Sequence, residues 1–544
     1  MQALIQKIKQ FDDLTLRDIA GPSIVKAVSD SYSTGLKSVL AEIICMEFGT
    51  SILGEPKIRS NIIDVTDEIG IQDLAEIVGL SFTSHAVTAN KLQEHFSVFS
   101  VERSKQFVRW MGLGEDYHTT LAQDNRTDYE TVKINHGQEV KLKGYLHGYQ
   151  KNIKDQIRLN MRASGSRAMV HMPTGAGKTY TALEVIVDQL RQPFFNNFIV
   201  WIVNTNELAE QALQSFKSLW EIKGDREIDC FRLWNIFTPK FEDYPNGGVV
   251  FASYDLMASI LKKREHKHFR QIDYLAERTN YLIVDEAHGA VAETYSDCIH
   301  TFIRDQKTQL LGLTATPDRE DDVIDNELKR VFDKTLIEIR DSDNHKINDP
   351  IRYLQDRGYL AKVNVKTLES NAICVGQTED QILKALAIDA QRNELILNQI
   401  QTAVDEGDQT LVFACTKDHV IALFILCKKA GINVSFIIGD VSQTERLSIL
   451  EDFKSKKINV LINLEILSTG IDIPALNRLI VTRPVKSAIL YSQMVGRALR
   501  GPKNGGNEYN TIVNVLDNLD FFPDISLLYN SFSAAWDKTN DHIL

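Results

Sequence analysis

The segment Met172–Thr179, MPTGAGKT, carries the densest chemical signal in the chain. It follows a short apolar run, Ala168–Val170, and precedes the helical stretch Thr179–Leu190. Gly175 and Gly177 permit backbone angles that turn successive amides onto phosphate oxygens, with Thr174 and Ala176 completing the loop. The helix that follows points its positive end at the same anion. Lys178 places a cation on the β- and γ-phosphates, and the Thr179 hydroxyl can ligate Mg2+. Met172 stands where the phosphate-loop pattern has its first glycine; the bland alternative is a glycine turn between strand and helix. Such a loop needs a carboxylate at the end of a nearby strand, and Tyr281–His288, YLIVDEAH, supplies it 107 residues after Lys178. Asp285 can hold magnesium through a water, and Glu286 can polarise the attacking water. These residues predict ATP and Mg2+ as cofactors and hydrolysis as the reaction.

Positioning those groups takes a sheet whose loops meet at one edge. From about residue 166, short apolar runs alternate with helical stretches: Ala168–Val170, Phe198–Val203, Val249–Phe251, Tyr281–Val284 and Gln309–Leu313. This is the rhythm of βα units in a buried parallel sheet. A second series follows at Thr410–Ala414, Val434–Ile438, Val460–Asn463 and Arg478–Val481, after a charged, irregular stretch over 318–360. The first 135 residues read mainly as helices. Leu36, Val39, Leu40, Ile43 and Ile44 paint one helical face, and Ser100 can cap a helix that buries Phe107, Val108 and Met111. Ile71–Ser81 has the spacing of a helix-turn-helix with Val87–Phe96 as its second helix, although a plain helical packing unit suits this acidic region better. The expected organisation is a mainly helical accessory domain over 1–135, then two α/β domains with parallel sheets over 136–345 and 346–544.

The 544 residues exceed what one core can hold, and 43% hydrophobic with 25% charged residues excludes disordered and fibrous classes. The longest purely apolar run is Val420–Cys427, too short for a membrane span. The opening MQALIQKIKQFDD lacks the apolar stretch of a signal peptide, and the six cysteines are scattered without a CxxC, which predicts a reducing, cytoplasmic setting. The net charge of −12 by itself argues against a nucleic-acid partner. It is uneven: residues 1–140 hold 13 basic and 20 acidic residues, leaving 48 against 53 for the rest. The dense basic cluster Leu261–Arg270, LKKREHKHFR, could track a phosphate backbone or be a solvated helix face.

Taken in order, further segments resemble a superfamily 2 helicase core of the DEAH type, over about residues 142–520. Leu146–Gln150 resembles the segment whose glutamine reads adenine, which implies Tyr149 and Gln150 at the base. Ile202–Gln211 and Ala252–Tyr254 resemble motifs that touch the nucleic-acid backbone. Leu313–Pro317, LTATP, resembles the motif that couples hydrolysis to movement, through Thr314 and Thr316. Phe413–Lys417, Ser468–Pro474 and Gln493–Arg500 resemble the three motifs of the second domain. Arg319-Glu320-Asp321, the Asp349–Leu360 lead-in and Arg500-Gly501-Pro502 resemble the branch that holds xeroderma-type DNA repair helicases and restriction-enzyme motor subunits.

The resemblance implies two RecA-like domains with ATP between them. Gln493, Arg497 and Arg500 would face the γ-phosphate, the two arginines sharing one side of a helix by their spacing of three. Gly470 and Asp472 would meet the nucleotide, Asp472 by contacting ribose or linking the domains. Thr205, Ser253, Thr416, Ser468 and Thr469 would contact phosphates of the nucleic acid, which carries no base information. DNA is favoured as the track. An RNA helicase and a nucleotide-switched adaptor remain open, and a restriction or phage-defence motor would need another chain as nuclease, met through residues 1–135. No membrane role is expected.

Overall fold

The computed structural model describes residues 2–22, 24–25, 29, 35–114, 117, 127–134, 145–262, 268–287, 293–315, 330–341, 343–347, 349–372, 378–438, 443–464, 476–485 and 488–517.

The N-terminal part consists of helices α1 (Gln2–Ile8), α2 (Asp13–Ala20), α3 (Leu36–Phe48), α4 (Pro56–Asp64), α5 (Glu68–Val78), α6 (His85–Ser97) and α7 (Val101–Trp110). Their starts follow from capping chemistry. The carboxylates of Asp12 and Asp67 accept from Thr15 N (2.8 Å) and Gly70 N (3.0 Å), and the Ser100 hydroxyl caps α7 as expected. Leu40, Ile43 and Ile44 of α3 share one core with Ile62 of α4, Leu92 and Phe96 of α6 and Phe107 of α7. The two helices with helix-turn-helix spacing, α5 and α6, bury Ile71, Leu74, Ala89 and Leu92 in that core.

The first sheet contains β1 (Tyr129–Val132), β2 (Arg167–His171), β3 (Phe198–Val203), β4 (Ile228–Leu233), β5 (Gly248–Ser253), β6 (Thr279–Val284), β7 (Gln309–Thr314) and β8 (Leu336–Ile337), in the order β1-β4-β5-β3-β6-β7-β2-β8. Every pairing is parallel except β1 with β4. Helices α8 (Gly148–Asn160), α9 (Lys178–Leu190), α10 (Asn206–Lys223), α11 (Tyr254–Lys262), α12 (Phe269–Glu277), α13 (Glu293–Ile303) and α14 (Pro350–Asp356) accompany it. The second sheet, β11-β12-β10-β13-β14-β9, is parallel throughout. It is built from β9 (Lys362–Ser370), β10 (Thr410–Phe413), β11 (Val434–Ile437), β12 (Val460–Asn463), β13 (Arg478–Val481) and β14 (Tyr509–Asp517). Its helices are α15 (Glu379–Ile388), α16 (Ala390–Asp405), α17 (Lys417–Lys429), α18 (Gln443–Lys454) and α19 (Ala488–Gly496). These are two RecA-like parallel-sheet domains with a mainly helical N-terminal part, the expected fold class.

The expected domain boundaries shift. Tyr129–Val132 is the edge strand of the first sheet, so that sheet begins before residue 136. Helix α14 stays with the first sheet, so the second begins after Leu360 rather than at 346. Among the described residues, the compact units are Asp124–Leu360 with Leu499–Asn504, and Met1–Gln123 with Ala361–Ala498 and Gly505–Ser531. The N-terminal helices thus belong with the second sheet, and α17 is the reason. Its Val420, Leu423, Phe424 and Cys427 pack with Val412, Phe436 and Ile462 of the sheet, whereas its Ile421 and Ile425 enter the N-terminal core. Burying each isoleucine contributes roughly 1.5–3 kcal/mol. Around this contact Lys417 Nζ meets Glu47 Oε1 at 3.0 Å, and Lys428 Nζ meets Glu42 Oε1 at 3.8 Å. Among the described residues no helix is long and apolar enough to cross a membrane, and Cys45, Cys230, Cys298, Cys415 and Cys427 are buried.

A buried ion pair closes the second sheet. Arg392 on α16 donates to both Asp517 oxygens, at 2.8 and 2.9 Å, and to the Thr482 carbonyl; both charged side chains are 1% exposed.

Two outcomes are expected. Asp517→Asn strands a buried guanidinium and lowers unfolding stability by about 3–5 kcal/mol in denaturant titration, while Arg392→Met with Asp517→Leu recovers most of it. Removing residues 1–114 bares Ile421 and Ile425, so the truncated chain binds an apolar dye and melts earlier than the full chain.

Candidate nucleotide site

In the first sheet β7 lies between β2 and β6, so the loops after β2 and β6 flank the end of β7. The loop after β2 is MPTGAGKT. Gly175 and Gly177 both have φ of 81°, a left-handed conformation that L side chains resist. A Cβ on Gly177 would also lie 2.5 Å from Gln150 Nε2. Helix α9 starts at Lys178, so its free amides face the loop. Tyr149 Oη and Gln150 Nε2 both donate to the Ala176 carbonyl, at 3.0 and 3.1 Å. The Gln150 amide oxygen accepts from His147 N at 2.9 Å. The expected base-reading pair is thereby tied to the phosphate loop.

Asp285 follows β6, and its backbone N–H donates to Ile202 O at 2.9 Å. Its Oδ2 lies 3.4 Å from the Thr179 hydroxyl and its Oδ1 accepts from Glu286 N at 3.0 Å. Glu286 has φ of 51°, a strained conformation for a non-glycine residue. Burial, and next the neighbouring Glu286 carboxylate, push the Asp285 carboxyl up to about 7, against the pull of Lys178. Two adjacent carboxylates and a hydroxyl form an all-oxygen donor set whose repulsion a hard divalent cation relieves, so these residues fit Mg2+. Thr314, fully buried at the end of β7, accepts from Met172 N at 3.1 Å and links that strand to the phosphate loop.

At the same edge Val203 of β3 is in register with Ser253 of β5, so Thr205 and Ser253 leave neighbouring strands. The Thr205 hydroxyl caps α10 by accepting from Leu208 N at 3.3 Å, and Thr416 caps α17 by accepting from His419 N at 3.1 Å. In both cases the hydroxyl proton stays available to a phosphate. The Ser253 hydroxyl is buried and makes no hydrogen bond.

The motif arginines depart from expectation. Helix α19 ends at Gly496, so Arg497 and Arg500 do not share a helical face. Tight turns replace the helix, with Arg497 N bonded to Met494 O (3.1 Å) and Ala498 N to Val495 O (2.8 Å). Arg500 then forms an antiparallel bridge with Leu360. Gln493 lies on α19, half-buried. Ser468, Thr469, Gly470, Asp472, Thr316, His288, Arg319–Asp321 and 263–267 of the basic cluster lie outside the described residues. Sequence reasoning missed Tyr359, whose ring sits 5.0 Å from Tyr149 and 4.5 Å from His147. The DRGYL segment held the residue but gave no sign of its aromatic partners.

The family described as "Type III restriction enzyme, res subunit" matches residues 143–319, and "Helicase conserved C-terminal domain" matches 391–502. The chain is 30% identical over 374 residues to "Putative ATP-dependent helicase IRC3" of Saccharomyces cerevisiae, covering 65% of this chain and 49% of that protein. It is 27% identical over 408 residues to "General transcription and DNA repair factor IIH helicase/translocase subunit XPB" of Enterocytozoon bieneusi, covering 70% and 60%. The protein of that name from Drosophila melanogaster is 27% identical over 436 residues, covering 78% and 50%. The chain thus spans about half of the length of these relatives. Both helicase domains are matched in order, and the phosphate loop and the loop of the Asp285-Glu286 pair flank one strand, so the chain carries the two domains of a superfamily 2 helicase core.

Proposed function

We propose that this chain is an ATP-dependent helicase or translocase that moves along nucleic acid, with DNA as its track. The observation that carries this reading is the meeting of Thr179 and Asp285, 3.4 Å apart, beside Lys178 and Glu286. In the proposed reaction Lys178 holds the β- and γ-phosphates, and the N-terminal amides of α9 bind the same oxygens. Thr179 and Asp285 would hold Mg2+, which would supply charge neutralisation at the phosphates. Glu286 orients the attacking water and takes its proton. Gln493, Arg497 and Arg500 meet the charge that develops on the γ-phosphate, and Gly470 and Asp472 contact the nucleotide or link the domains. Thr205, Ser253, Thr416, Ser468 and Thr469 grip phosphates without reading bases.

The restriction-subunit match and the DNA repair name of two relatives support DNA over RNA. The same match supports a motor that works beside a separate nuclease in restriction or phage defence, met through the N-terminal helices, and the buried cysteines suit the cytoplasm.

ATP turnover measured with duplex DNA, single-stranded DNA and RNA at matched salt tests the reading. Duplex DNA is expected to raise the rate several-fold; stronger stimulation by RNA would replace DNA as the track, and no turnover with any of them would leave only a nucleotide-switched adaptor. Lys178→Ala is expected to lose ATP binding, whereas Glu286→Gln keeps binding and loses about 10²–10⁴-fold in kcat. Gly177→Ala forces a side chain into a left-handed position against Gln150 and is expected to lower kcat/KM for ATP by about tenfold or more.

A further inference from the structure

The six residues Leu499–Asn504, which include Arg500, pack in the compact unit of the first sheet. Helix α14 prepares their seat. It ends with Gly358 N bonded to Gln355 O (2.9 Å) and Tyr359 N to Leu354 O (2.9 Å), which turns the backbone of Gly358–Leu360 outward. Gly501 N donates to Tyr359 O at 3.2 Å and Lys503 N to Gly358 O at 3.0 Å. The approach is so close that a Cβ on Gly501 would fall 2.7 Å from backbone atoms of Gly358, Tyr359 and Leu360. A turn, Asn504 N to Gly501 O at 3.0 Å, then aims the Asn504 side chain back at the same strip.

Asn504 uses both ends of its amide. Nδ2 donates to the Tyr359 carbonyl at 2.8 Å, and Oδ1 faces His147 Nε2 at 2.8 Å. A carbonyl can only accept, so the amide orientation is fixed, and His147 must carry its proton on Nε2. His147 lies in Leu146–Gln150, the segment that resembles an adenine-reading one: its ring lies 4.5 Å from Tyr359 and 5.9 Å from Tyr149, and the Tyr149 hydroxyl reaches Ala176 O at 3.0 Å. Lys503 Nζ stands 4.6 Å over the Tyr359 ring. An unbroken series of contacts thus runs from Asn504 through His147, Tyr359 and Tyr149 to the phosphate loop.

We propose that Asn504 is a positioning residue for the base of the nucleotide: by clamping His147 to the Tyr359 carbonyl, it sets the aromatic group that an adenine ring meets. The inference rests on the ATP-binding reading above and deepens it. The phosphates are gripped by Lys178 and the loop amides, which Asn504 does not touch. Its loss is therefore felt by a ligand with a base and not by a polyphosphate chain alone.

Calorimetric titration of the full chain with Mg-ATP and with Mg-tripolyphosphate separates the two, alongside ATP turnover. Asn504→Ala and His147→Ala are each expected to weaken ATP binding by about tenfold, the effect of one lost buried hydrogen bond, with tripolyphosphate changed by less than about twofold. The double variant is expected to be no weaker than the weaker single, because both break one clamp. Asn504→Asp keeps an acceptor for His147 but replaces the donor to Tyr359 by a carboxylate oxygen facing a carbonyl; it is expected to show its loss on ATP alone, and serves if the alanine variant does not fold. Equal losses on both ligands, or additive losses in the double variant, would overturn the proposal. A wild-type chain that binds ATP without turning it over would remove the hydrolysis reading, and the binding comparison would still decide the role of Asn504.

Discussion

Parallel pairing sends the carboxyl end of every strand to the same edge of its sheet, and the chemistry of this chain depends on that constraint. His171 pairs with Thr314 and Val284 with Gly312, so β2, β7 and β6 end at similar heights. Residues 107 apart in sequence, Lys178 and Asp285, thereby belong to loops separated by one strand. The proposed phosphate binding would use the free amides at the start of α9, together with a cation held by a carboxylate nearby. An antiparallel arrangement would alternate the loops between edges and leave the two apart. Burial at this strand end, and next the adjacent Glu286 carboxylate, raise the Asp285 carboxyl, and Glu286 itself takes a left-handed φ of 51° there.

The central strands were legible because a strand buried on both faces reads as an unbroken apolar run. FIVWIV of β3 is buried at all six positions, and the expected span matched the observed one. β4, IDCFRL, was not legible, since Arg232 interrupts the run while lying only 3% exposed. Long edge strand β9, KVNVKTLES, is mostly polar and half-exposed, so alternation alone did not distinguish it from a linker. In the site, the phosphate loop and Asp285-Glu286 were legible because their chemistry is local in sequence. The end of α19 was not: a spacing of three suggests a helical face only while the helix lasts, and Gly496 ends it.

The docking of the N-terminal helices did leave a trace in the sequence. Val420–Cys427, the longest apolar run, is longer than one buried helical face requires. A helix apolar all round must be covered all round, and α17 is covered by the sheet on one side and by Leu40, Ile44 and their neighbours on the other. Part of the acidic excess of the first quarter also finds its use here, as Glu42 and Glu47 meet lysines at the two ends of α17. Lys417 directly follows Thr416, so this contact fixes the first turn of a helix whose cap is a candidate phosphate contact. The acidic character of the N-terminal part therefore serves attachment to the second domain, in addition to anything it does toward a partner.

The buried charges tell what is being held rather than what is being stabilised. A buried ion pair gains little over an apolar pair of the same volume, because desolvation offsets the attraction. Its distinctive effect is geometric, since only one arrangement leaves no charge unpaired. Arg232 on β4 reaches Glu130 on β1 at 2.5 Å and Glu210 on α10 at 3.1 Å, with Lys217 closing the group on Glu130. A slip of β1 by one residue would turn Glu130 to the other face and take it from Arg232 and Lys217, so this group of four fixes the antiparallel register of β1 on β4. It also fixes α10, whose first turn is capped by Thr205. Arg392 and Asp517 play the same part where β14 ends beside α16. In each sheet a buried arginine stands where hydrophobic packing is least able to choose a register, at an edge strand or a strand end, and the strand ends are where the candidate chemistry is aligned.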